Sequence, residues 1–294
     1  MDQQLPLFTD TEEIMEKLDA LEDLSTNIQA YRRSRDFYEL MQFITKFRRY
    51  SPYNAFLLHV QNPKVSFVAT PSVWRKEFHR KIKPEARTLL ILAPMHPILF
   101  VYDLADTEGA PIPNGLIDPF ATEGQIDEDD LEDIIHAARK DGILLDLSTK
   151  FSNLHAGTAR RLEHPLSGEE GEKMIDFHFM ITINADLDTS AFFATFTHEL
   201  GHIYCGHLGK TPGAWWPERK VNAEIVEFEA EAVSYLVCKR CGLQTKSGQY
   251  LALKAEQDIE LPAISLDTIL KVASRIEKMG KKQSGGETLH ANPR

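Results

Sequence analysis

The chain has little cysteine: three in 294 residues. That is too few for a disulfide framework in a protein of this length, so stability must come from a buried apolar core. Long apolar runs are also missing. The longest, Leu89 to Tyr102, is interrupted by Pro94, His96 and Pro97, which excludes an ordinary transmembrane helix there. The opening Met1-Asp-Gln-Gln-Leu-Pro has neither the basic nor the apolar region of a signal peptide. These absences give the expectation of a cytoplasmic protein with no membrane partner. No stretch repeats itself, which argues against solenoids and propellers.

Positive charge is scarce on average but not locally. The net charge is −11, yet from Ala30 to Leu90 there are 13 Lys/Arg against 4 Asp/Glu, a local +9 that leaves −20 for the remainder. Such asymmetry points to a basic module joined to an acidic one, and basic modules often meet nucleic acid. A solvated surface balanced by an acidic neighbour is the plainer explanation.

Periodicity then divides the chain. Residues 10–24 read as an acidic amphipathic helix, with Ile14, Leu18, Leu21 and Leu24 at helical spacing. A second helix is expected over 26–49, burying Phe37, Leu40, Met41, Ile44 and Phe47, and a short one over 55–60. Strands are expected at 65–69, 88–92 and 97–102, with a short helix at 71–78. Residues 114–128, rich in Gly, Pro and acid, suit a linker. Beyond it the spacing predicts helices over 129–140, 221–240, 247–257 and 265–279 and strands over 143–147 and 177–183. The expected fold class is α+β: an N-terminal acidic helix (1–24), a small basic α+β domain (25–113), and a mainly helical domain with a small sheet (129–279). A disordered tail (280–294) would follow.

The chemistry centres on His198-Glu199-Leu200-Gly201-His202. Residues four apart share a helix face, so His198 and His202 can reach one metal ion, with Glu199 about 100° round the helix beside them. Phe192, Phe193, Phe196, Leu200, Ile203 and Tyr204 form an apolar stripe that would anchor this helix. Asp186, Asp188, Thr189 and Ser190 are its capping candidates. Zinc in hydrolases commonly takes two His and one Glu and keeps a position for water. The helix over 221–240 offers Glu224, Glu227, Glu229 and Glu231. Glu227 is favoured as third ligand, with Glu229 and Glu231 as alternatives and Glu224 as a solvated residue. Glu231, one turn after Glu227, is placed to hydrogen-bond a ligand histidine. Metal-assisted hydrolysis follows, with Glu199 as the base. Tyr235 and His207 are candidates for oxyanion stabilisation. The strand over 177–183 precedes the metal helix and is expected to pair with an extended substrate. Cys238-Lys-Arg-Cys241 has no second cysteine pair and is read as incidental.

Thr197-His-Glu-Leu-Gly-His202 followed by Glu227-Phe-Glu-Ala-Glu231-Ala resembles the ImmA/IrrE-type zinc metallopeptidases of the gluzincin class. Those families place a ligand Glu three residues before an Ala, with an acidic or amide residue next. The resemblance, which covers about 130–240, implies a zincin-like domain, zinc as cofactor, Glu227 as ligand and Glu231 as its companion. The first module is similar to the single-stranded-DNA-binding domain of ArdC-like antirestriction proteins. The similarity rests on Tyr50-Ser51, Asn54, Leu57-Leu58, Gln61, Pro63, Trp74, Arg80-Lys81-Ile-Lys83 and the Tyr102–Pro113 stretch. The usual Gly before Arg80 is His79 here. This implies that Arg48, Arg49, Arg75, Lys76, Arg80, Lys81 and Lys83 neutralise phosphates while Tyr50, Tyr53 and Trp74 stack on bases beside Asn54. Residues 25–113 are then expected to bind single strands unaided. The leading expectation is a zinc peptidase acting on a protein or peptide and coupled to single-stranded DNA; cleavage of one transcriptional repressor is a special case. The alternative is an antirestriction-type or regulatory DNA-binding protein whose zincin domain is structural or inactive.

Overall fold

The computed structural model describes residues 31–92, 98–112, 126–149, 156–170 and 173–280. The expected acidic helix, most of the linker and the tail after Gly280 lie outside these residues.

The first helix, α1 (Ser34–Lys46), forms because Phe37, Leu40, Met41 and Ile44 recur at helical spacing, and all four are buried. Pro52 occupies the first turn of α2 (Pro52–Gln61), and the Ser51 side chain accepts from Asn54 N at 3.3 Å. A small region follows: β1 (Val68–Ala69), α3 (Pro71–Lys76), β2 (Arg80–Ile82), β3 (Leu89–Ile91), β4 (Leu99–Asp103) and β5 (Thr107–Gly109). Its strands pair as β1-β4-β3 and β2-β5, all antiparallel. Phe67, Ala69, Trp74 and Ile112 make a separate small core here.

The second half begins with α4 (Glu128–Lys140) and β6 (Ile143–Ser148), then a long hairpin of β7 (Gly157–Glu170) and β8 (Lys173–Asn184). Helices α5 (Thr189–Tyr204), α6 (Ala223–Arg240), α7 (Lys246–Gln257) and α8 (Leu266–Met279) complete it. The mixed α+β class expected from periodicity is what the chain adopts. In the sheet β6-β8-β7, β8 is central, parallel to β6 and antiparallel to β7. Phe177, Phe179, Ile181 and Ile183 of β8 all face the core, the period-2 signature of a half-buried strand. Because β8 is paired on both sides, it cannot accept an extended substrate. The expectation that 177–183 offers a docking edge is therefore wrong, and β7 holds an edge instead. β7 itself escaped the sequence reading: it is mostly polar and exposed, and Pro165 interrupts it where the register shifts between Arg161 and Leu166.

The boundary between 113 and 129 does not divide the main core. α1 packs against α6 and α7, and α2 against α8; Phe37 meets Phe228 edge-on with ring centroids 5.2 Å apart. One apolar cluster runs from Phe37 through Phe179 and Leu200 to Ile276. Residues 25–113 cut out alone would expose the α1 and α2 faces that this cluster covers, so binding experiments belong on the full chain.

His79 sits in the left-handed region at φ 52°, immediately before β2, whose first residue Arg80 pairs with Gly109 at φ 139°. A side chain in that region costs roughly 1–2 kcal/mol, and glycine returns part of the gain as backbone entropy. His79→Gly is expected to stabilise the protein by about 0.5–1 kcal/mol, read as a higher urea midpoint at unchanged m-value. A lower midpoint would show that the imidazole contributes contacts outweighing the strain.

Candidate metal centre

Helix α5 starts where the Asp188 carboxylate accepts from Ala191 N at 2.8 Å. Phe193, Phe196, Leu200, Ile203 and Tyr204 are buried along one side, while Phe192 is only half-buried. Gly201 permits the close crossing of α5 and α6: a Cβ there would lie 3.1 Å from Ala230 Cα. This contact brings the acidic face of α6 over the two histidines.

His198 Nε2 and His202 Nε2 lie 3.0 Å apart. The Glu227 carboxylate oxygens stand 3.7 Å from the first and 3.8 Å from the second. These three residues form a group able to hold a metal ion, its donor atoms all within 4.8 Å of one another. Two ligands about 2.0–2.1 Å from a tetrahedral zinc are separated by about 3.3 Å, so the spacings fit a shared cation after small adjustment. Two imidazole lone pairs turned toward each other also repel unless a proton or cation lies between them. The donor set therefore fits a divalent ion. Burial, with the closeness of the His198 and His207 rings adding to it, pushes the His202 pKa down to about 3, so this ring is neutral at pH 7, as a ligand must be.

Glu199 is nearly enclosed at 7% exposure. Burial raises its pKa to about 7; an N–H from the Ala159 backbone opposes the rise and the charge of Glu227 adds to it. Glu231 Oε1 is 3.8 Å from His198 Nδ1, and its Oε2 is buried with no hydrogen-bond partner among the described residues. His202 is backed differently. Its Nδ1 lies 3.3 Å from His207 Nδ1, and His207 Nε2 lies 3.0 Å from Glu229 Oε2. Glu229 is fully buried and also receives both terminal nitrogens of Arg219 and the Ser265 N–H at 2.7 Å. Burial opposes its ionisation, but bonds from His207, Arg219 and Ser265 outweigh that and hold the carboxyl below its usual range.

These contacts correct several expectations. Glu229 is not in the His198–His202–Glu227 group but in a salt bridge with Arg219, so it is not an alternative ligand there. His207 is engaged on both ring nitrogens behind His202. Tyr235 hydrogen-bonds Thr45 beside Tyr38, between α1 and α6. Both candidates for oxyanion stabilisation are thus committed to contacts within the fold. The sequence reading missed Tyr250, half-buried on α7, whose pKa is raised by burial and then by the charges of Glu231, Glu224 and Glu227. Only the packing of α7 on α6 reveals it.

The basic segment differs more from expectation. Trp74 is fully buried, and its Nε1–H donates to Tyr102 O at 2.9 Å; it cannot stack on a base. The Tyr50 hydroxyl donates to Val68 O at 2.8 Å, and burial pushes its pKa up to about 12. Asn54 is a buried clamp, its amide bonded to both Leu92 N and Leu92 O. The Arg80 guanidinium donates to Thr107 O, Gly109 O and Ala110 O, tying β2 to β5. Arg48 donates to Lys239 O at 3.2 Å and Lys83 to Ala105 O at 2.8 Å. Tyr53 is half-buried against Phe56. Arg49, Arg75, Lys76 and Lys81 remain exposed. The matched residues thus mostly build the small α+β region rather than line a groove.

No protein-family model matches this sequence, and no curated protein matches it. Among solved structures, the chain is similar to the antirestriction protein ArdC from plasmid R388. Its metal-free form is 13% identical with a TM-score of 0.32, and its Mn(II)-bound form is 15% identical with a TM-score of 0.35. Both alignments cover 79% of this chain and 82% of the other. Among the described residues no helix is long and apolar enough to cross a membrane.

Proposed function

We propose that the protein is a zinc-dependent peptidase whose exposed basic side chains also engage single-stranded DNA. The observation that carries the hydrolytic reading is the convergence of His198, His202 and Glu227 beside the buried Glu199. His198, His202 and Glu227 would hold the ion; bound there, zinc lowers the pKa of water and polarises a carbonyl. Glu199 takes the proton from the attacking water and passes it to the departing nitrogen. The Ala159 N–H orients that carboxylate, and the enclosing walls keep its basicity near neutrality. An extended peptide suits the site because Ala159 belongs to β7, an edge strand of its sheet, where main-chain pairing is available.

Metal analysis on the full chain tests this. One zinc per chain is expected, held more tightly than manganese as the usual affinity order requires. Glu227→Ala should weaken zinc binding at least tenfold with the fold retained; unchanged affinity would remove Glu227 from the ligand set.

A second reading, a DNA-binding protein of antirestriction type with a structural metal site, is favoured by the exposed Arg49, Arg75, Lys76 and Lys81. Reversing the charge of Arg75, Lys76 and Lys81 together should weaken oligonucleotide binding on every sequence alike. At about 0.7 per phosphate contact, it should flatten the log-affinity against log-salt slope by about 2. An unchanged slope would leave these residues as solvated surface.

A further inference from the structure

A second group of metal-capable side chains, Cys205, His207 and Glu229, lies directly behind the first. It does not suit an ion. Arg219 and the Ser265 N–H already occupy the Glu229 oxygens, and a cation there would face the guanidinium. The group is better described as a chain of hydrogen bonds ending on His202.

We propose that Glu229 and His207 are positioning residues that fix the tautomer of His202 and so keep its Nε2 lone pair turned toward His198 and Glu227. The inference rests on the metal-site reading above, and it follows from counting protons. Between His207 Nδ1 and His202 Nδ1, 3.3 Å apart, one proton can be shared. If His207 supplied it while neutral, the bare Nε2 of His207 would set a lone pair 3.0 Å from the Glu229 carboxylate. If His207 supplied it as an imidazolium, a second cation would join Arg219 on a single carboxylate, around a side chain only 1% exposed. The remaining arrangement satisfies every atom. His207 Nε2–H donates to Glu229, His207 Nδ1 accepts from His202 Nδ1–H, and His202 Nε2 carries no proton. Arg219, paired through both terminal nitrogens, keeps the carboxylate in place as the fixed end of the chain. Among the described residues His198 has no comparable support, since Glu231 stands 3.8 Å from its Nδ1. The two ligands are thus unequal: His202 is preset and His198 adjusts.

The test has two readouts on the full chain. Long-range ¹H–¹⁵N correlation spectra of the metal-free protein should show His207 protonated at Nε2 and His202 at Nδ1. The opposite tautomer at either ring would overturn the proposal while leaving the ligand assignment standing. Zinc affinity is then measured by chelator competition for His207→Phe and His207→Asn, with circular dichroism confirming the fold. Asn places its amide oxygen near the His207 Nδ1 position and can accept from His202. It should stay within a few-fold of wild type, whereas Phe should lose about 10–100-fold. Equal affinity in all three would overturn the proposal. Equal losses in Phe and Asn would also overturn it, because packing rather than the hydrogen bond would then matter. A wild-type chain that takes up no zinc overturns the metal reading and this inference together.

Discussion

Glu199→Gln is expected to keep zinc and the fold and to lose peptide hydrolysis by about 10²–10⁴-fold, the usual worth of a positioned base. The amide has nearly the shape of the carboxylate but cannot take a proton from water. The same substitution has a second consequence in the metal-free protein. The folded pKa of Glu199, at about 7, lies above its ordinary value of 4.5, so the folded chain binds a proton more tightly than the unfolded one. The Glu199 contribution to stability is therefore fully present below the unfolded pKa and is lost as pH rises toward and through the folded one. The drop amounts to about 3 kcal/mol at 1.36 kcal/mol per pK unit. Glutamine has no such titration. Metal-free Glu199→Gln should thus gain on wild type in urea midpoint between pH 5 and pH 8, and a bound cation should narrow the gap by favouring the carboxylate. Retained turnover with zinc confirmed would remove Glu199 from the mechanism. A gap that does not change with pH would mean the carboxylate is solvated rather than enclosed.

The central site was legible because a helix imposes its own geometry. His198 and His202 had to share a face, and the apolar residues from Phe193 to Tyr204 said which side was buried. Placing Glu227 required a returning helix, whose crossing at Gly201 and Ala230 the sequence only implied. The support behind His202 was not legible. It joins a histidine and an arginine of the α5–α6 connection to a helix glutamate, and no spacing rule connects residues 207, 219 and 229. The basic segment misled for a different reason. Trp74 stands beside Arg75 and Lys76 on a helix of six residues, too short for periodicity to tell the inward side from the outward. Arg80 and Asn54 looked like surface recognition groups, but each satisfies backbone atoms within the fold. The face of α1 announced that it was apolar without saying what it covers, and its partners α6, α7 and α8 come from the far end of the chain.

Arg240 makes the union of those two ends testable. It is 7% exposed and lies near the end of α6. Its Nη1 donates to Ile44 O at 2.9 Å and Phe47 O at 3.1 Å, and Nη2 reaches Tyr50 O. These are carbonyls at and just beyond the end of α1; Ile44 O also accepts from Phe47 N and Phe47 O from Tyr50 N, so the guanidinium fills their second lone pairs where the helix ladder has ended. The remaining side of the guanidinium pairs with Glu277 of α8. One side chain thus closes α1 and ties it to two helices from the other half. Arg240→Met keeps much of the volume but strands the Glu277 carboxylate and takes one donor from each carbonyl, and is expected to cost about 3–5 kcal/mol. Glu277→Gln alone should cost less, and the double variant should lose less than the sum, since the carboxylate is no longer left unpaired. Zinc affinity of the folded Arg240→Met protein should match wild type, because Glu227 lies 13 positions earlier on α6, about 20 Å along the helix. Urea titration of the three variants, paired with zinc competition, reads both effects. A loss below about 1 kcal/mol for Arg240→Met would mean that water satisfies those carbonyls and that packing alone holds α1 to the second half.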